Sequence, residues 1–164
     1  MHEIMNMKGQ VRITLSDRAG NVVYDRLQDN RIVKAGRQLV AQLFSGVSVG
    51  PPPSRVTHMG VGTGAVAAND DQTDLANPRL PRNPITSVTY SEVTETASGG
   101  GTVKRVKASL QTVFDFNEAN GADPLREAAI FTAPTGGTMY NRVVFDAVTK
   151  TDTFKLTLIW DIVF

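Results

Sequence analysis

The stretch that decides the fold is 154–164, FKLTLIWDIVF. Phe154, Leu156, Leu158, Trp160, Ile162 and Phe164 fall on every second position, and Lys155, Thr157 and Asp161 fall between them. Successive side chains of a strand point to opposite faces of a sheet, so this spacing predicts a strand with one buried face. The alternation runs through Phe164, which is therefore expected inside a packed layer or against a partner.

The same periodicity recurs upstream. Val106, Ala108, Leu110, Phe114 and Phe116 alternate with Lys107, Ser109, Gln111 and Asp115, which predicts the longest half-buried strand, with both rings on its inner face. ASGGGT (97–102) reads as a hairpin tip before it, and ITSVTYSEV as the strand leading into that tip. EAAIFTA and MYNRVVFDAV read as strands joined by the turn PTGG. Near the start, Val11, Ile13 and Leu15, a turn at 17–20, and Val22 to Tyr24 read as a β-hairpin. VTHMGVG reads as a further short strand.

One segment breaks the pattern. In IVKAGRQLVAQLFSG, Ile32, Gly36, Leu39, Val40, Leu43 and Phe44 have helical spacing, which predicts a helix over Val33–Ser45 with Gly46 as its C-terminal cap. VSVGPPPSR reads as a loop stiffened by Pro51–Pro53, and 65–84 as a long surface loop without periodicity. The sum is a mainly β fold, a β-sandwich or barrel-like domain of about eight strands with one packed α-helix.

The chain has 164 residues, suited to one domain, read as 9–164 preceded by an N-terminal arm over 1–8. Met1, Ile4, Met5 and Met7 of that arm are apolar but carry no strand pattern, which suits a clamp on a neighbour. With 17 basic and 16 acidic residues, the balance gives no reason to expect nucleic acid or a membrane as partner. Absence of cysteine excludes disulfides and thiolate chemistry. MHEIMNMKGQ lacks the apolar core of a signal peptide, and no apolar run approaches the roughly 20 residues of a membrane span, so synthesis in the cytosol is expected.

No motif rises to a catalytic, cofactor or metal assignment. Gly60, Gly62 and Gly64 form a GVGTG run, but a phosphate loop needs a helix opening behind its glycines, and AVAANDDQTD does not read as one. Tight backbone geometry is the better reading. Asn69, Asp70, Asp71 and Asp74 concentrate oxygen ligands, yet their spacing does not match a calcium loop. His58 has no nucleophile elbow to serve, and is read as structural. Lys104, Arg105 and Lys107 read as a solvated sheet face, since the rings of that strand lie on the opposite side. Glu127 sits among apolar neighbours and needs a buried partner, Arg126 or Arg142; a catalytic carboxylate is the competing reading.

Three segments taken together resemble a family of tailed-phage virion proteins. DNRIVKAGRQLVAQLFSG is similar to the family's asparagine, apolar pair, glycine and helix opening. VTHMGVGTG with DQTDLANPRLPR is similar to its glycine-rich strand followed by Thr-x-Leu and Arg. The stretch from LREAAIF to the final Phe resembles its ending through Glu127, Gly136-Gly137, Tyr140-Asn141-Arg142, Phe145, Lys150 and Trp160. The resemblance covers 29–164. It implies a small β-rich structural protein of the particle, non-enzymatic and present in several copies. The expected partners are further copies of itself and other phage structural proteins, and the expected location is the virion after synthesis in the host cytoplasm. Tail or baseplate is the favoured station, with capsid decoration as the alternative. A glycan- or small-molecule-binding β-sandwich is the second alternative. The arm and the proline-rich loops at 49–55 and 77–84 are the expected contact elements.

Overall fold

The computed structural model of the chain describes residues 7–164. In chain order the described residues form β1 (Lys8–Ser16), β2 (Val22–Asp29), β3 (Arg31–Ile32), α1 (Lys34–Ser45), β4 (His58–Gly62), β5 (Pro78–Pro84), β6 (Ser87–Thr96), β7 (Thr102–Phe114), β8 (Leu125–Phe131), β9 (Met139–Val148) and β10 (Lys155–Val163). These build a β-sandwich of two five-stranded sheets, β2-β1-β10-β7-β6 and β3-β9-β8-β4-β5, with every pairing antiparallel.

The core lies between the sheets because both present apolar residues at period two. β10 contributes Leu156, Leu158, Trp160 and Ile162, and β1 answers with Val11, Ile13 and Leu15. Across the gap stand Met59, Val61, Ala128, Ile130, Tyr140 and Val143. The second sheet buries its outer face too, where Ala129, Phe131 and Met139 pack with Val33 and Leu75. A sheet covered on both sides reads as a continuous apolar run rather than an alternation, which is the character of AAIF.

Helix α1 covers part of that outer face. Its first turn has no side-chain cap; instead the N–H of Val33 donates to the carbonyl of Tyr140 (3.2 Å) and that of Lys34 to Asp70 (3.0 Å). A side chain at Gly36 would collide with the Tyr140 carbonyl, so this glycine lets the helix lie directly on the β9 backbone. Gly46 ends the helix in the left-handed region at φ 70°, as a capping glycine does.

Several expectations need correction. Two strands exceed the expected eight, β3 and β5. β5 occupies the last seven residues of the stretch read as a loop over 65–84, because Pro78, Pro81 and Pro84 hid it; prolines are tolerated there because β5 is a sheet edge. β7 ends at Phe114, and Phe116 lies in the following turn beneath Arg18 (4.4 Å) and Lys155 (5.3 Å). Phe154 precedes β10 and is half-buried, and Phe164 is 37% exposed rather than packed in. The helix begins at Lys34 with Val33 as its cap, and Phe44 is 93% exposed. Lys8, assigned to the arm, opens β1; the rest of the arm apart from Met7 lies outside the described residues. No helix among the described residues is long and apolar enough to cross a membrane.

Candidate functional site

The most concentrated polar chemistry lies on the outer face of the second sheet. Glu127 on β8 and Arg142 on β9 are both fully buried. Of the two arginines expected to reach the carboxylate, Arg142 does so, with Nε donating to Oε2 at 2.8 Å and Nη2 also 2.8 Å away. The 63–77 loop folds over the pair. Its backbone N–H groups at Gly64 (3.0 Å), Ala76 (2.9 Å) and Asn77 (2.7 Å) all donate to Glu127. Arg142 Nη1 reaches back to the Val66 carbonyl (2.8 Å) and Gln72 Oε1 (3.1 Å). A buried carboxylate with an arginine and three N–H donors has its hydrogen-bonding capacity filled, which is what burial demands.

The glycine run explains itself against this carboxylate. A Cβ at Gly62 would lie 2.5 Å from Glu127 Oε1, and one at Gly64 would lie 2.6 Å from the same oxygen. A Cβ at Gly60 would lie 3.1 Å from Phe131, 3.2 Å from Arg82 and 3.3 Å from Leu75. GVGTG makes room for a buried ion pair and the loop that covers it.

Three further cations anchor backbone in the same manner. Arg82 lies over the Phe131 ring at 3.4 Å, donates to the carbonyls of Ala133 (3.1 Å) and Gly136 (2.7 Å), and pairs with Asp74 at 3.2 Å. Arg79 donates to the carbonyls of Ala119 (3.2 Å) and Asp123 (2.7 Å). Lys150, fully buried, donates to Asp115 O (2.9 Å), Asn120 Oδ1 (2.8 Å) and Thr151 O (3.1 Å), which ties down the turn after β7. Burial lowers the Lys150 pKa against the pull of Asp115, Glu118 and Asp152. Arg82 is not singled out from the sequence, and Lys150 enters there only as a position of the resemblance, without a role. The hint was a lone cation between prolines in one case and after a strand in the other.

The remaining candidates disperse. Asp70 is bound by Arg37 (3.1 Å) and Arg31 (3.4 Å), and the Arg37 hydrogen bond is the main cause of its lowered pKa. Asp74 belongs to Arg82, and Asn69 Oδ1 accepts the Asp71 N–H at 3.1 Å, so these oxygens face separate partners. Among the described residues no three metal-ligating side chains gather. His58 stands at the start of β4 with Nδ1 2.8 Å from Thr57 Oγ1, and burial followed by the Arg82 charge lowers its pKa. Lys104, Arg105 and Lys107 are engaged by Glu92 (3.6 Å), Glu95 (2.8 Å) and Asp161 (3.2 Å). Tyr140 is pushed up to about 12 by burial.

A surface groove of about 470 Å³ opens between α1, Pro51–Pro53 and the β8–β9 turn, with Gln38, Gln42 and Thr138 among its polar lining. Comparison with protein-family models, curated proteins and solved structures yields no match.

Proposed function

We propose that the chain is a non-enzymatic structural subunit of a phage virion, built into the tail or baseplate in multiple copies. The carrying observation is where the residues of the three-segment resemblance lie. Asn30 binds Trp160, Gly36 seats the helix on Tyr140, Gly62 and Gly64 admit Glu127, Arg142 pairs with it, and Lys150 pins a turn. The resembling positions are internal anchors of a rigid sandwich, and its best-placed ionisable groups are spent on holding loops. A rigid scaffold that presents loops and sheet edges suits a subunit repeated by symmetry.

The test is mass spectrometry of purified particles, with antibody labelling under the electron microscope. The expected result is the chain at many copies per particle, with label on the tail or baseplate. Label on tailless heads moves the assignment to capsid decoration. Absence from particles overturns the reading.

A further inference from the structure

Four strands form the edges of the two sheets, β2 and β6 in one, β3 and β5 in the other. An edge exposes unpaired N–H and C=O groups, and proteins blunt it with proline, bulges, charge or brevity. β5 carries three prolines, β3 has two residues, and β2 breaks register beside Leu15 and carries Asp25, Arg26 and Asp29. β6 is ten residues long, without proline, lysine or arginine, and keeps unbroken register with β7. Its acidic Glu95 is already held by Arg105 at 2.8 Å.

The free groups of β6 can be identified. Phe164 N–H donates to the Val106 carbonyl (2.8 Å) and Val106 N–H donates back (3.4 Å), so the even-numbered residues of β7 bond toward β10. In an antiparallel ladder the odd-numbered ones then bond β6. Ser91 lies opposite Lys107 and Tyr90 opposite Ala108, so Val88, Tyr90, Glu92 and Thr94 turn their backbone groups outward. The side chains of Val88 and Tyr90, 63% and 76% exposed, share the inner face with Leu110 and Ala108. Beside them runs an apolar groove of about 200 Å³, lined by Leu43, Val56, Ile162 and Phe164, with Arg55 also at its wall. Ile85 N–H donates to the Thr57 carbonyl (2.8 Å), which sets the 55–57 segment beside the entry to β6. Arg55 has no ion-pair partner among the described residues.

We propose that β6 is a homodimer interface, two copies of this chain pairing antiparallel through β6 about a two-fold axis at Tyr90. In that register Val88 faces Glu92 of the partner subunit, whose carboxylate comes beside Arg55. Among the described residues Glu92 pairs with Lys104 alone, at 3.6 Å, with both side chains 70% or more exposed, a contact easily exchanged. An axis at Glu92 would oppose two like charges, which is unfavourable. Tyr90 meets its own copy at the axis, and the Val88–Glu92 contact occurs twice, once on each side of it, as an isologous interface requires. The inference deepens the structural-subunit reading by naming a partner, yet it stands on the solution behaviour of the free protein. A monomer in solution and absence from particles are therefore separate failures.

Sedimentation velocity over a concentration series tests it. The intact chain is expected to dimerise. Tyr90→Pro removes an outward N–H while the bonds to β7 stay, and should give a folded monomer by circular dichroism. Arg55→Glu or Glu92→Arg alone should raise the dimer Kd by about tenfold or more, and the double exchange should restore it to within about threefold. Should Tyr90→Pro fail to fold, the exchange pair carries the decision. A chain that stays monomeric up to its solubility limit overturns the proposal. So does a dimer whose Kd is unmoved by the single exchanges or unrestored by the double one.

Discussion

The indole Nε1 of Trp160 donates a 2.7 Å hydrogen bond to Oδ1 of Asn30. Asn30 is the residue between β2 and β3, where the chain passes from one sheet to the other. Its own N–H donates to the Gly9 carbonyl at 3.0 Å, and its side chain occupies the space that a Cβ at Gly9 would need. One polar contact thus joins β10, β1 and the crossover, with the fully buried Trp160 ring as its base.

Trp160→Ala should destabilise the domain by about 3–5 kcal/mol, the usual result of truncating a buried aromatic. Trp160→Phe keeps a smaller aromatic ring but leaves Asn30 Oδ1 without its donor, at a cost of about 1–3 kcal/mol for the lost hydrogen bond. Urea denaturation followed by circular dichroism checks both. An unchanged midpoint for the alanine variant would show that this side chain is not core.

Arg142→Met should cost about 3–5 kcal/mol, because it leaves a buried carboxylate without its cation. Gly64→Ala, whose methyl would lie 2.6 Å from Glu127 Oε1, should cost about 1–3 kcal/mol by overpacking. Both should also speed proteolysis within 63–77, since the loop is held through Glu127 and Arg142. Limited digestion with mass mapping reads this out; equal cleavage rates in variant and parent would refute the anchoring role.

Lys150→Met should loosen the turn at 115–121 by removing three hydrogen bonds, with a loss of about 1–3 kcal/mol. Hydrogen exchange should accelerate at that turn. Acceleration spread evenly over both sheets would mean that Lys150 supports the whole fold rather than one turn.

Acid should weaken the domain in two windows. His58 has a folded pKa below its ordinary 6.5, through burial and the Arg82 charge. As pH falls through 6.5 the unfolded chain takes the proton first, so stability declines below that pH until the folded pKa is reached. Asp25, lowered mainly by its Arg12 hydrogen bond, and Asp70, lowered mainly by that of Arg37, contribute stability above 3.8 that is lost as pH falls through their folded values. Thermal melts against pH should show both declines, and His58→Gln should flatten the slope between about pH 7 and 5. A His58→Gln profile parallel to that of the parent would rule out this linkage.

Local periodicity by itself determined much of this architecture. Leu156, Leu158, Trp160 and Ile162 are buried where alternation put them, and Gly46 caps a helix that starts one residue from its expected position. These features were legible because a strand repeats every two residues and a helix every 3.6, whatever lies elsewhere in the chain. The tertiary structure decided the rest. Proline counts argued against a strand at Pro78–Pro84, and only its place at a sheet edge makes those prolines harmless. The sequence could not choose between Arg126 and Arg142 for Glu127, or name the arginines that bind Asp70 and Asp74. GVGTG acquired its meaning only when Glu127, more than sixty residues away, was brought against it. Charge pairing and close packing join residues distant along the chain, and no local window contains both partners.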